Sequence, residues 1–295
     1  MKRSTIVIAG LVAVLAFAAC SQDKVEEFRI TEAQRAEGYV PDPLAFDVQI
    51  NLCRSIGRKS GKLIGKGEHF GVDEGSRVRA VVDVRNLEPS AIHSFHLVWL
   101  KPGDLDEVFR KYAEVSVEET EKGWRKTILW KKAEDLTHFD EEIQKGKDPH
   151  VRLGSVMNVE PEKMRDLGLY TFRVYLNREL LTERTFRLLG QEITFAGPGD
   201  GPFVMGKSAS VDAAVRLSGL EAGKEYFGKL AWRKPGGKKL FDKKVSFTAA
   251  ADGSATLEGS LDISTKKKRK TGKYELRVYV EGSLVGEETF KLKKP

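Results

Sequence analysis

Residues 170–188, YTFRVYLNRELLTERTFRL, return as residues 274–292, YELRVYVEGSLVGEETFKL, with nine of nineteen positions identical. A second pair, VRAVVDVRNLEPSAIHSFHLVWLKPG at 78–103 and VDAAVRLSGLEAGKEYFGKLAWRKPG at 211–236, aligns without gaps with ten identities in twenty-six. Val78, Leu87, Trp99, Lys101, Pro102 and Gly103 recur as Val211, Leu220, Trp232, Lys234, Pro235 and Gly236. The two pairs stand in the same order, so the chain carries two copies of one module. Each copy must therefore complete its fold within roughly 100–150 residues, the ordinary size of a domain.

Each copy reads as β. Val78, Ala80, Val82 and Val84 alternate with Arg79, Val81, Asp83 and Arg85, and Val211, Ala213, Val215 and Leu217 hold the corresponding face in the second copy. A period of two with one apolar side predicts a half-buried strand. Further strand-like runs fall near 93–100, 108–117, 124–130, 169–176 and 180–189, then near 191–196, 208–217, 226–233, 239–249, 254–262, 273–280 and 283–292. About seven short strands per module, punctuated by Gly and Pro turns, predict a β-sandwich. The expected architecture is all-β, with module 1 over 44–190 and module 2 over 191–295.

The modules resemble immunoglobulin-like or fibronectin-type sandwiches. Trp99 and Trp232 lie in a mid-module strand that ends in KPG, where such folds place a core-packing Trp. Tyr170 and Tyr274 open the penultimate strand, the site of a tyrosine corner in these folds. The antibody-type cysteine pair is absent, so the resemblance is to the disulfide-free bacterial relatives. Cys53, in the alternating run FDVQINLC, is expected to be a small buried apolar residue.

The chain begins MKRSTIVIAGLVAVLAFAACSQD, with Lys2 and Arg3 ahead of an apolar run from Ile6 to Ala19. This pattern reads as a secretory signal over 1–19. The run is short for a membrane span, which needs about 20 residues. FAAC at 17–20 resembles the lipobox of bacterial lipoproteins, which implies cleavage before Cys20 and acylation of that residue. Ser21 stands where the best-known inner-membrane retention signal has Asp, so the resemblance implies an outer-membrane lipoprotein, facing the periplasm or the cell surface. Each buried acyl CH₂ contributes about 0.8 kcal/mol, and more than one chain makes a stable tether to the membrane. Residues 20–43, charged and carrying PDP, are expected to be the lipidated Cys and a flexible linker.

Trp99 to Tyr170 spans 71 residues and Trp232 to Tyr274 spans 42. The extra residues of module 1 are assigned to an insertion near 131–168, read as a solvated loop around HFDEE (His138 to Glu142) and a short helix from Asn158 to Gly168. His93 and His96 are spaced to face opposite sides of their strand. No Gly-x-Ser-x-Gly, His-Glu-x-x-His or dinucleotide fingerprint occurs. The expectation is a protein that is not an enzyme and takes no cofactor and no metal.

The net charge of +7 is unevenly spread. Residues 200–295 hold 20 Lys plus Arg against 12 Asp plus Glu, whereas 21–199 hold 28 against 31. Lys266, Lys267, Lys268, Arg269 and Lys270 form the densest run, a candidate anion-binding loop. The repeated pairs Arg173 with Tyr175 and Arg277 with Tyr279 are a candidate interface, because Arg and Tyr are enriched at binding hot spots; ordinary cross-strand pairing on an outer sheet face is the favoured account of them. The functional expectation is a non-catalytic, lipid-anchored envelope protein acting as a binding, adhesion or spacer module. Its expected partners are the membrane and an envelope protein or anionic polymer, but not nucleic acid. The alternatives are a protein that binds an anionic envelope polymer through the module 2 loop, and an envelope enzyme or metal-binding protein using the module 1 insertion.

Overall fold

The computed structural model describes residues 46–295 apart from 90, 104–105, 133–134, 145–149, 197–201, 207–208 and 265–268. The first strands are β1 (Asp47–Cys53), β2 (Ser55–Ile56), β3 (Leu63–Ile64), β4 (His69–Gly71), β5 (Arg77–Arg85) and β6 (Ile92–Leu100). They are followed by β7 (Glu107–Thr120), β8 (Gly123–Lys132), β9 (Asp135–Gln144), β10 (Val151–Asn158), β11 (Gly168–Leu176) and β12 (Glu179–Ala196). The remainder are β13 (Phe203–Val204), β14 (Ser210–Ser218), β15 (Glu225–Arg233), β16 (Lys239–Thr248), β17 (Ala255–Asp262), β18 (Gly272–Val280) and β19 (Ser283–Lys293).

In module 1 the sheet β1-β5-β10 faces β12-β11-β6-β7-β8-β9, with β4 added parallel to β12. In module 2 the sheet β12-β14-β17 faces β13-β19-β18-β15-β16, with β13 added parallel to β19. The order is the same twice, down to a first strand that begins in one sheet and leaves a short parallel segment on the last strand of the other. Both modules are immunoglobulin-like β-sandwiches.

The sequence pattern predicts separate strands at 180–189 and 191–196; they are one strand, β12. Its first half pairs with β11 and its second half, Gly190 to Ala196, with β14. Eighteen residues at about 3.3 Å each extend roughly 60 Å. Successive side chains of a strand point to opposite faces, and β12 uses both. Phe186 and Leu188 enter the first core, whereas Leu189, with Ile193 and Phe195 on the same face, joins the second. Gly190 sits at the crossing, where a Cβ would collide with Ser218 Oγ.

Trp99 and Trp232 are both fully buried at the centres of these cores. Trp99 packs on Phe172 at 4.6 Å and on Phe186 at 5.6 Å, and Trp232 on Phe290 at 5.9 Å and Phe241 at 6.1 Å. Both tyrosine corners form: Tyr170 Oη donates to the Asp166 carbonyl and Tyr274 Oη to the Lys270 carbonyl, each at 2.8 Å. Burial pushes the Tyr170 phenol up to about 12, so it stays a donor throughout the neutral range. Cys53 is a free thiol at 0% exposure, and burial raises its pKa.

The insertion coincides with the expected span 131–168 only in β9. Strand β10 is framework, pairing with β5 as β17 pairs with β14. The additional residues of module 1 are β8 and β9, which extend the β6-β7 sheet outward. HFDEE is therefore not a loop but part of the edge strand β9. Its acids read as loop because their partners are distant in sequence: Lys126, only 8% exposed at its side chain, pairs with Glu141 at 2.6 Å, and Thr127 Oγ1 donates to Asp140 at 2.7 Å. The expected helix is a single 3-10 turn at Pro161–Lys163, closed by Met164 at φ 46°, and Gly168 opens β11. Asn158 spends its side chain on an Asx turn to the Glu160 amide at 2.9 Å instead of capping a longer helix.

The two copies fill equivalent roles with different chemistry. The final hairpin turns differ in sequence, yet Asn177 (φ 48°) and Arg178 (φ 74°) adopt the same doubly left-handed turn as Glu281 (φ 48°) and Gly282 (φ 76°). The first residue of each accepts the amide of the neighbouring strand on its side-chain oxygen, from Ser94 at 2.9 Å and from Phe227 at 2.7 Å. Replacing Arg178 with Gly should relieve the left-handed strain and raise the denaturation midpoint by the equivalent of about 0.5–1 kcal/mol. The indoles differ as well: Trp99 Nε1 donates to buried Ser155 Oγ at 2.8 Å, whereas Gly259 holds that position in module 2 and Trp232 Nε1 has no partner among the described residues. Ser155→Ala should cost about 1–3 kcal/mol in chemical denaturation, the usual penalty for an orphaned buried donor.

Candidate functional site

The joint between the modules is built from the loops that flank β12. The excursion between β1 and β4 carries β2 and β3, which form a small hairpin on module 1. Its end packs against the β18-β19 hairpin of module 2, closely enough that a Cβ on Gly71 would collide with the Val285 carbonyl. On the other side Arg187 donates to the Gly219 carbonyl at 3.1 Å and approaches Glu221 at 3.4 Å. His69 meets Tyr226 edge to face at 5.9 Å, and its Nδ1 is buried without a partner among the described residues. Arg54 reaches across to the field of Glu287 and Tyr279.

Glu287 and His69 of this joint are displaced in opposite directions. Burial pushes the Glu287 carboxyl up, and Glu275 adds to the effect against the pull of Arg277 and Arg54. Burial pushes the His69 imidazole below its ordinary value of 6.5; Arg187 and Lys224 act in the same direction and Glu281 and Glu68 oppose them.

The repeated Arg-x-Tyr pairs are brought to the outer faces of their sheets, and the two copies are not equivalent. Arg173 pairs with Glu183 at 2.8 Å across β11 and β12, and Tyr175 lies opposite His96. Arg277 is held by Glu275 and by Glu287 at 3.6 Å, and Lys229 Nζ stands 3.8 Å above the Tyr279 ring. Tyr279 also lines a groove of about 580 Å3 with Phe227, Lys229, Lys244 and Val245. Phe227 is 64% exposed, on the solvent side of an alternating strand whose equivalent in module 1 is Ser94. That substitution was the available signal for the groove, masked by an otherwise ordinary strand pattern.

Of the basic run, Lys266, Lys267 and Lys268 lie outside the described residues, as does Cys20. Arg269 Nε donates to the Asp262 carbonyl at 3.0 Å, and Lys270 is exposed while its carbonyl receives the tyrosine corner. The backbone beside the run is thus pinned at both ends. His93 is buried with Nε2 3.2 Å from the Glu88 carbonyl, and His96 stacks edge to face on Tyr112 from the opposite side of β6. Among the described residues no group of three or more His, Cys, Asp or Glu could hold a metal ion. Residues 201–208, GPFVMGKS, have the spacing of a phosphate-binding loop. Such a loop needs a helix after it, and here Ser210 opens strand β14.

No protein-family model matches the chain, and no curated protein matches it significantly in sequence. Among solved structures it is similar to an immunoglobulin-like protein from Pseudomonas aeruginosa, at 15% identity and a TM-score of 0.26, covering 48% of this chain and 96% of that one. It is similar to domains 3 and 4 of rat CD4 at 8% identity and a TM-score of 0.26, covering 76% and 97%. Red sea bream transglutaminase is similar at 12% identity and a TM-score of 0.28, covering 89% of this chain; the chain spans 33% of that enzyme's length.

The unfolded chain protonates His69 near 6.5 while the folded joint resists the proton, so the stability tied to this group is present above that pH and lost as pH falls from there through the lower value of the folded state. Thermal melts should show a lower midpoint at about pH 5.5 than at about pH 7.5, with the difference reduced in His69→Gln.

Proposed function

We propose that this is a non-catalytic envelope protein, tethered through lipid on Cys20, that holds two immunoglobulin-like sandwiches as a rigid spacer and binding module. An immunoglobulin-like fold is compatible with such a role, and many unrelated functions share it. The observation that carries the reading is β12. A linker between domains normally leaves relative motion as the default, whereas here the connection is a hydrogen-bonded strand common to both sandwiches, with the Gly71–Val285 approach and Arg187 bracing its two sides. Tension or reach applied at one end is then transmitted to the other without a hinge. Tethering through Cys20 would put module 1 nearest the membrane and module 2 outermost.

The test has two arms. Spin labels placed one on each module should give a single narrow distance distribution, and a broad one would sink the spacer reading. A Cys20→Ala protein should leave the membrane fraction and appear soluble; its continued partition into membranes would sink lipidation as the tether.

A further inference from the structure

The topology gathers isolated lysines at one end of module 2. Strand β12 enters the module at Gly190, beside module 1. The turns at 219–224 and 281–282 lie at that same end. The β15–β16 turn, the segment leading into β18 and the end of β19 consequently lie at the opposite end, farthest from module 1. These three pieces carry Lys238, Lys270, Lys273, Lys291, Lys293 and Lys294, all exposed.

The pieces are contiguous. A Cβ on Gly272 would stand 2.8 Å from Pro235 Cγ, so the β15–β16 turn rests on the start of β18. Lys273 lies directly opposite Lys291 across β18 and β19, both on the outer face because Tyr274 and Phe290 take the inner one. Like charges placed directly opposite destabilise a sheet. Elsewhere on this face Arg277 is neutralised by Glu275 and Glu287, and Arg233 and Lys239 by Asp242, while Lys229, directly opposite Lys244, is held over the Tyr279 ring. Among the described residues none of the six lysines forms an ion pair with a carboxylate. The acids at this end, Asp212 and Asp262, belong to β14 and β17 of the other sheet and are engaged by Ser210 Oγ at 3.1 Å and the Ser264 amide at 2.8 Å.

We propose that this end of module 2 is a docking surface for an anionic phospholipid membrane other than the one that holds the tether. Strands stand about 4.8 Å apart, so the lysines run across β19, β18, β15 and β16 over about 14 Å, the width of a few headgroups. They project from strand ends and turns around the rim of a sandwich, which suits a flat charged layer better than a single ligand. Lysine ammonium groups act on phosphate as compact point charges without the bidentate geometry of arginine. Each lysine brought to an anionic surface contributes an attraction that salt screens. The unneutralised Lys273–Lys291 pair has a physical reason on this account: its mutual repulsion is relieved when phosphates come between the two.

The protein made without its first 20 residues carries neither leader nor lipid, so its behaviour tests this surface separately from the tether. It should sediment with vesicles of pure phosphatidylglycerol, fail to sediment with phosphatidylcholine, and be released by salt. Lys273→Gln with Lys291→Gln should weaken binding by about fivefold per lysine, about 25-fold together. The same pair should leave the melting temperature unchanged or raised, since a repulsive cross-strand pair is removed. Equal binding to both vesicles, or undiminished binding by the double variant with its fold intact, would overturn the proposal. Salt-sensitive binding to inorganic polyphosphate in solution, lost in the double variant while phosphatidylglycerol vesicles are ignored, would overturn it too and make the partner a soluble polyanion.

Discussion

Strand β12 constrains everything around it, because one backbone satisfies two sheets at once. Its period of two lets consecutive residues, Leu188 and Leu189, close separate cores without any polar segment between them. The hydrogen-bond ladder cannot be broken at the boundary without orphaning amides and carbonyls on both sides, which is costly for any buried backbone. The orientation of module 2 is therefore tied to the twist of a single strand. The loops that meet beside it follow from that: the Arg187 contacts to the turn after β14, and the fit of Gly71 against the final hairpin.

The duplication preserved roles more faithfully than residues. Both modules need an indole at the centre, a tyrosine donating to the loop below it, and a hairpin turn that fixes the middle strand. Asn177 and Glu281 answer the last need with different side chains and the same geometry. Where no structural role enforces equivalence, the copies part: module 1 adds β8 and β9 at its sheet edge, and module 2 exposes Phe227 and an array of lysines without acidic partners among the described residues. Shared framework and divergent surface make the differences the place to look for function, and both surface differences of module 2 lie on the sheet formed by β15, β16, β18 and β19.

The sequence by itself determined the module count, the β class, the central tryptophans, the tyrosine corners and most strands, because each follows from local periodicity or from a role repeated in both copies. It drew the insertion too far along the chain, taking in β10, whose pairing with β5 only the fold reveals; it read β9 as loop because its acids have their partners, Lys126 and Thr127, on β8; and it read a helix from a cap that serves an Asx turn. It cut β12 in two, since a strand that changes its core face at Gly190 shows no single alternation across the boundary. Only the tertiary structure decided which loops meet at the joint and which lysines share an end, because those depend on strand order across the sheets. Hydrogen bonding between distant strands brings Lys273 opposite Lys291 and sets Arg54 near Glu287, and no spacing along the chain encodes either neighbour.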